Sequence, residues 1–209
     1  TENRRSERQL NKIKDLLGTT TQTIVHDLSY FEKKGYFLEG TGSLVLDRKY
    51  KVAFATESPR TSIKVISVFC KTMGYKPVLF HATDHNEKPI YHTNIVMSIG
   101  DGFAVICLEA VENDQERKII INKIEQLGLE KIEITRDQMK NFCGNIIELK
   151  SSNGQNKIVV SQTALYAFSK KQKETLRKYG KLVSISIPTI ERVGGGSARC
   201  MLTEIFLQI

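Results

Sequence analysis

The sequence predicts an α/β fold: a closed ring of five ββαβ units, apparently lacking its N-terminal portion. Three observations predict it. One grammar recurs three times: a turn with Gly or Asn, an apolar strand, a polar hairpin tip, a second apolar strand, an amphipathic helix ending at Gly, and a third strand. The spacing is nearly constant, since Gly42, Asn94, Asn145 and Ala198 stand 52, 51 and 53 residues apart. The two ends also read as complementary halves of a unit. Residues 3–17 read as a helix closed by Gly18 and residues 22–28 as a strand, while Ala198–Ile209 reads as a first strand without a partner. Pairing such ends closes a ring and removes exposed sheet edges. A stretch ahead of the N-terminus would supply the absent hairpin and bring the count to five.

Taken in order, the repeats lie near 39–91, 92–142 and 143–193, within one domain spanning 1–209. The first places strands near 43–47 and 51–56, a helix near 60–73 and a strand near 77–81. In the second, strands near 94–99 and 103–109 lead to a helix near 113–127 and a strand near 131–135. The third carries strands near 145–150 and 157–161, a helix near 163–179 and a strand near 182–187. Each helix runs into a glycine, which accepts the left-handed conformation that ends helices.

Composition narrows the class. The 209 residues are 40% hydrophobic, enough for a sizeable core in one domain or most of one. Four cysteines without clustered spacing, with Cys70 and Cys107 in apolar settings, argue against a disulfide framework and a structural zinc site. No cofactor or metal is expected, and a reducing cytoplasm is the expected setting. No run of eighteen apolar residues suggests a membrane span, and the charged start does not read as a signal peptide. The net charge of +8 invites a polyanion, but the cations gather on the expected helices, as in Lys170-Lys171-Gln172-Lys173 and Arg177-Lys178. A solvated outer helix face accounts for them, so nucleic acid is not the expected partner.

The chemistry lies where repeats correspond. Gly194-Gly195-Gly196 runs through Ser197-Ala198-Arg199 into Cys200, and a glycine turn lets backbone approach a ligand while a neighbouring cation favours a thiolate. Glu39 and His92 occupy nearly matching points of successive units, 53 residues apart, with Cys200 just past the matching point of the last. In a ring of repeats such points lie at one height around one axis. A carboxylate, an imidazole and a thiol would then converge at its mouth, as covalent catalysis requires. Beside this stands a plainer assignment: Glu39 as a solvated turn residue, His92 as a hydrogen-bonded residue at the start of a strand, Cys200 as core.

Phe37-Leu38-Glu39-Gly40-Thr41-Gly42-Ser43-Leu44-Val45-Leu46-Asp47-Arg48, Ser58-Pro59-Arg60-Thr61, Pro89-Ile90-Tyr91-His92-Thr93-Asn94 and the stretch from Gly194 to Met201 resemble the guanidino-group-modifying superfamily. That superfamily includes arginine deiminase, dimethylarginine dimethylaminohydrolase, agmatine deiminase and amidinotransferases. Within it the chain is most similar to the bacterial citrulline-utilisation hydrolase group, described as amidinotransferase-like. The resemblance covers essentially the whole chain and implies a five-bladed α/β propeller, or pentein. It also implies that Cys200 attacks the central carbon of a guanidino or ureido group. His92 would protonate the departing nitrogen and then activate water, and Glu39 would bond a substrate nitrogen or His92. The partner implied is a small arginine-like molecule: arginine, a methylarginine, citrulline or agmatine. A homodimer is compatible with the sequence.

One departure bears on substrate. Deiminases of the superfamily carry an acid two places after the histidine, where this chain has Asn94, and an amide cannot neutralise a cation. Asp84 is a weak stand-in for the guanidinium-binding acid that relatives place in their N-terminal part. Arg60 and Arg199 are candidates for holding an α-carboxylate. Cys143, at the pseudo-equivalent of His92, is the rival thiol near the expected mouth. The 209-residue chain alone is expected to be weakly active or inactive. Hydrolysis, amidino transfer and a non-catalytic basic propeller binding RNA or the ribosome all remain open at this level.

Overall fold

A computed structural model describes Thr1, Gln9, Lys12, Ile13, Asp15 and residues 26–204. The helix expected over 3–17 and the strand expected over 22–28 fall largely outside those residues. Within them the chain forms three three-stranded sheets, one per repeat. The elements are α1 (Gly40–Ser43), β1 (Val45–Asp47), β2 (Val52–Thr56), α2 (Ile63–Met73) and β3 (Lys76–Phe80) in the first unit. The second holds α3 (Thr93–Val96), β4 (Met97–Gly100), β5 (Phe103–Ile106), α4 (Asp114–Gln126), β6 (Glu130–Glu133) and α5 (Arg136–Lys140). The third holds β7 (Ile147–Lys150), β8 (Asn156–Ser161), α6 (Gln162–Ala167), α7 (Lys170–Tyr179), β9 (Lys181–Ile185) and α8 (Pro188–Gly194).

Topology repeats with the sequence. The first two strands pair antiparallel and the second and third parallel, as in Val45↔Phe54 and Val52↔Lys76, Met97↔Ile106 and Phe103↔Glu130, Ile147↔Val159 and Lys157↔Lys181. The crossover helix supplies the return that a parallel pair needs. Central strands are covered on both faces, so β2 is buried at all of its positions. Its alternating side chains divide the work. Ala53 and Ala55 face Ile66 and Cys70 of α2, where small residues let the helix sit close. Val52 and Phe54 join the larger core shared with Met97, Phe103 and Val105 of the next unit. The units thereby meet through their first strands, with β1 against β4 and β4 against β7.

Three expectations are corrected. The strands expected to begin near 43 and 94 begin after one-turn helices, α1 and α3. The helix expected over 163–179 is two: Phe168 is extended, and Ser169 opens α7 with a capping box to Gln172. The strand expected from Ala198 starts as a 3-10 turn, Ala198–Met201, and residues 205–209 lie outside those described. The lysines of 170–173 and Arg177-Lys178 are mostly exposed, as a solvated helix face should be. Among the described residues no helix is long and apolar enough to cross a membrane.

Candidate active site

Glu39 and His92 each sit at a tight turn just before the first strand of their unit, and Cys200 sits at the corresponding turn after the third unit. Glu39 is the residue ahead of α1, His92 the residue ahead of α3, and Cys200 rides the 3-10 turn Ala198–Met201. Buried polar bonds tie these turns to one another. Thr93 Oγ1 donates to the Ser43 carbonyl at 2.6 Å, Asn145 Nδ2 to the Asn94 carbonyl at 2.9 Å, and the Arg199 N–H to Asn145 Oδ1 at 3.1 Å. Ser43 Oγ donates to the Arg60 carbonyl and accepts from Thr61 and from the Glu39 N–H, which anchors the first turn. Nearly equivalent residues of successive units thus form a ladder. Because each rung is buried and paired, the relative positions of the turns are tightly held.

The result is a cleft of about 400 Å³ lined by Glu39, Arg60, Tyr91, His92, Asn94 and Cys200, with Gly194, Gly195 and Gly196 forming one wall. His92 Nε2 lies 2.8 Å from Glu39 Oε2. The ring is buried and packs on Gly42, where even a single added carbon would stand 2.8 Å from its atoms. Tyr91 meets the ring edge-on with centroids 4.9 Å apart. Burial works against ionising the Glu39 carboxyl, and the hydrogen bond with His92 favours its ionised form. An ionised Glu39 accepts only, so Nε2 carries the proton in this pair.

The glycine run has separate reasons at two positions. Gly195 closes α8 at φ 65°, a left-handed conformation that suits glycine, and its carbonyl accepts the Tyr91 hydroxyl at 2.5 Å. At Gly196 a side chain would meet Cys200 Sγ at 3.0 Å. Beneath the run, the buried Glu191 carboxylate accepts from Ser197 Oγ and Thr163 Oγ1, each at 2.6 Å. Cys200 itself is exposed, and the Asn145 and Asn94 amides approach its sulfur at 3.2 and 3.6 Å.

The cleft thus brings together Glu39, His92, Asn94, Arg60 and Cys200. Arg60 stacks over the Tyr91 ring at 4.6 Å and reaches within 3.7 Å of Glu39, so its charge is partly engaged by the site. Arg199 is not brought in: its guanidinium lines a second cleft of about 730 Å³, bonded to the Leu202 carbonyl and near Glu204. Nor is Asp84, whose carboxylate caps the Asn86 and Lys88 N–H groups in its own turn. Cys143 is buried beside the Ala164 carbonyl, with burial pushing its thiol up to about 12, and does not reach the mouth. Sequence reasoning quoted Tyr91 in a motif and Asn145 as a repeat anchor without giving either a place in the site, and it passed over Glu32, which lines the cleft. Among the described residues no three His, Cys, Asp or Glu side chains cluster as metal ligands.

Residues 1–207 match the family model described as N,N dimethylarginine dimethylhydrolase, eukaryotic. No sequence among the curated proteins matches. Among solved structures, the chain is similar to ArgZ, an arginine dihydrolase from the ornithine-ammonia cycle in cyanobacteria, at 18% identity and TM-score 0.63, covering 87% of this chain and 29% of that one. The N-terminal domain of ArgZ covalently bonded to a reaction intermediate matches at 18% identity and TM-score 0.63, over 83% of this chain and 61% of that one. A cysteine-to-alanine mutant of AgrE in complex with L-arginine matches at 17% identity and TM-score 0.63, over 83% and 25%. The chain spans about three tenths to three fifths of the solved ArgZ chains it resembles.

Proposed function

The chain belongs to the N,N dimethylarginine dimethylhydrolase family, within the guanidino-group-modifying superfamily, and on that premise we propose that it supplies the catalytic face of a cysteine-dependent hydrolase of linear amidines. The observation that carries this reading is the meeting of Glu39, His92 and Cys200, from three units, in one cleft. A binding module has no need of that trio. In the proposed reaction the Cys200 sulfur attacks the central carbon of a guanidino or ureido group. The bond to the departing nitrogen breaks as His92 delivers its proton, leaving a thiouronium-type adduct from a guanidino group or a thiocarbamate from a ureido group. Water, deprotonated by His92, then adds to the same carbon, the carbon–sulfur bond breaks, and the thiolate returns. Glu39 orients His92 and stabilises its charged form through the 2.8 Å contact.

Asn94 offers the reacting group an amide in place of a charge, which suits a ureido group, as in citrulline, as well as a guanidinium compensated by Glu39. We read the three units as part of a single five-unit propeller domain, a reading supported by their common register and abutting first strands. Product mass spectrometry tests the chemistry, with arginine, dimethylarginine, citrulline and agmatine supplied separately and Cys200→Ser as control. Citrulline from arginine or a methylarginine, or ornithine from citrulline, is expected only with Cys200 present. Cys70→Ser should cost stability alone, because Cys70 lies on α2 and is buried against Ala53 and Ala55 of β2. A Cys200→Ser protein with normal turnover would end the mechanism. Product formed only when a second amine is added would identify amidino transfer instead.

A further inference from the structure

We propose that Asn145, together with Asn94, forms a two-amide cradle that donates to the Cys200 sulfur when it carries negative charge and holds it facing the cleft. The inference rests on Cys200 being the nucleophile of the proposed reaction. Its geometric basis is the full commitment of the Asn145 side chain. Oδ1 accepts the Arg199 N–H at 3.1 Å, which fixes which way the amide is turned. Nδ2 must then face the other way, and it does, toward the Asn94 carbonyl at 2.9 Å and Cys200 Sγ at 3.2 Å. The residue is fully buried, so the amide cannot turn to solvent instead. Asn94, in the preceding unit, points Nδ2 at the same sulfur at 3.6 Å, while the neutral thiol donates to its Oδ1 at 3.8 Å, a bond that loss of the thiol proton gives up in favour of Nδ2.

A neutral amide suits this place for a physical reason. It stabilises charge on sulfur without bringing a second cation beside a cationic substrate, and without a titratable proton competing with His92 for the leaving nitrogen. Hydrogen bonds to a charged acceptor are roughly twice as strong as neutral ones, so the cradle favours the reactive form over the resting thiol. Asn145 is also a brace. The residue after Asn145 in the ladder is Arg199, the immediate neighbour of Cys200, so one side chain sets both the position of the thiol's backbone and the polarity around its sulfur.

The test is the rate of iodoacetamide alkylation of Cys200 against pH, read by peptide mass spectrometry on the whole protein. Cys70, Cys107 and Cys143 are buried and report folding in the same experiment. Asn145→Ala should lower the Cys200 rate at neutral pH roughly ten- to a hundredfold, while the other three thiols stay unlabelled. An unchanged curve would overturn the inference. Labelling of the buried thiols would mean lost folding, and Asn94→Ala then decides, since it removes the second amide from the sulfur without adding charge and keeps the backbone carbonyl that Asn145 bonds. A rate below wild type supports the cradle, and an equal rate sinks it. Because alkylation needs no substrate, a failure of the proposed function would show in turnover and leave this result standing.

Discussion

Gly42 is the residue on which the position of His92 turns, and replacing it by alanine isolates that contact. Its φ lies outside the left-handed region, so alanine meets no backbone strain there. The added carbon would stand 2.8 Å from Cε1 and Nδ1 of His92, where ordinary contact begins at 3.4 Å, so the ring must retreat by about 0.6 Å. Tyr91 and the Glu39 bond hold the ring from other sides, and retreat therefore bends or lengthens the 2.8 Å Nε2 contact. Overpacking of this kind costs about 1–3 kcal/mol, against about 0.4–1 kcal/mol gained by removing glycine's freedom in the unfolded chain. The loss wins. Each kcal/mol shifts the melting temperature of a chain this size by about 2–4 °C, so a drop of up to roughly 10 °C is expected. Misplacing a reacting group by about 1 Å can lower rate on the order of a hundredfold, and kcat should fall by about ten- to a hundredfold. Calorimetry and single-turnover kinetics on the product assay measure both. Wild-type melting and kcat in Gly42→Ala would refute the close packing of His92 on this glycine.

Two further outcomes follow from buried and half-buried carboxylates. Glu191→Ala strips the partner from Ser197 and Thr163 hydroxyls and should cost about 2 to 4 kcal/mol in urea unfolding, with Glu191→Gln milder; equal losses would show that charge plays no part. The His81 ring is held by Glu116, and more weakly by Glu57, which raise its pKa against a smaller opposing effect of burial. A raised folded pKa means that this stabilisation is complete below the unfolded value, near ~6.5, and is lost as pH rises through the folded one. Melting temperature should fall slightly across that window in wild type, and Glu116→Gln should flatten the fall; parallel curves would remove His81 as its source.

The repeat was legible because its punctuation is chemical. Glycines ending helices and Gly or Asn at the turns recur at a period that no single helix or strand would produce. That same period placed Glu39, His92 and Cys200 at one level. What it did not convey was rotation. Arg199 was expected at the cleft from its adjacency to Cys200, but the 3-10 turn that replaces the expected strand sends the two neighbours to different faces. Cys143 failed similarly, its sulfur turning into the core toward Ala164. The break at Phe168 had a readable signal in Ser169 and Gln172, three apart, which was hidden by the continuous helical periodicity around it. Asn145 carried a signal in standing at the repeat position of Asn94, but its bonds to Arg199 and Cys200 exist only between units.

The ladder of buried bonds also orders events in time. Ser43 and Thr93 are joined across 50 residues, Asn94 and Asn145 across 51, and Asn94 meets the Cys200 sulfur across 106. Chains emerge from synthesis N-terminus first at roughly 5–20 residues per second, so about 5 to 20 s separate His92 from Cys200. The joint carrying Glu39 and His92 has that interval in which to set. Cys200 is thus the last of the three side chains to be made, and an unfinished chain holds Glu39 and His92 without it.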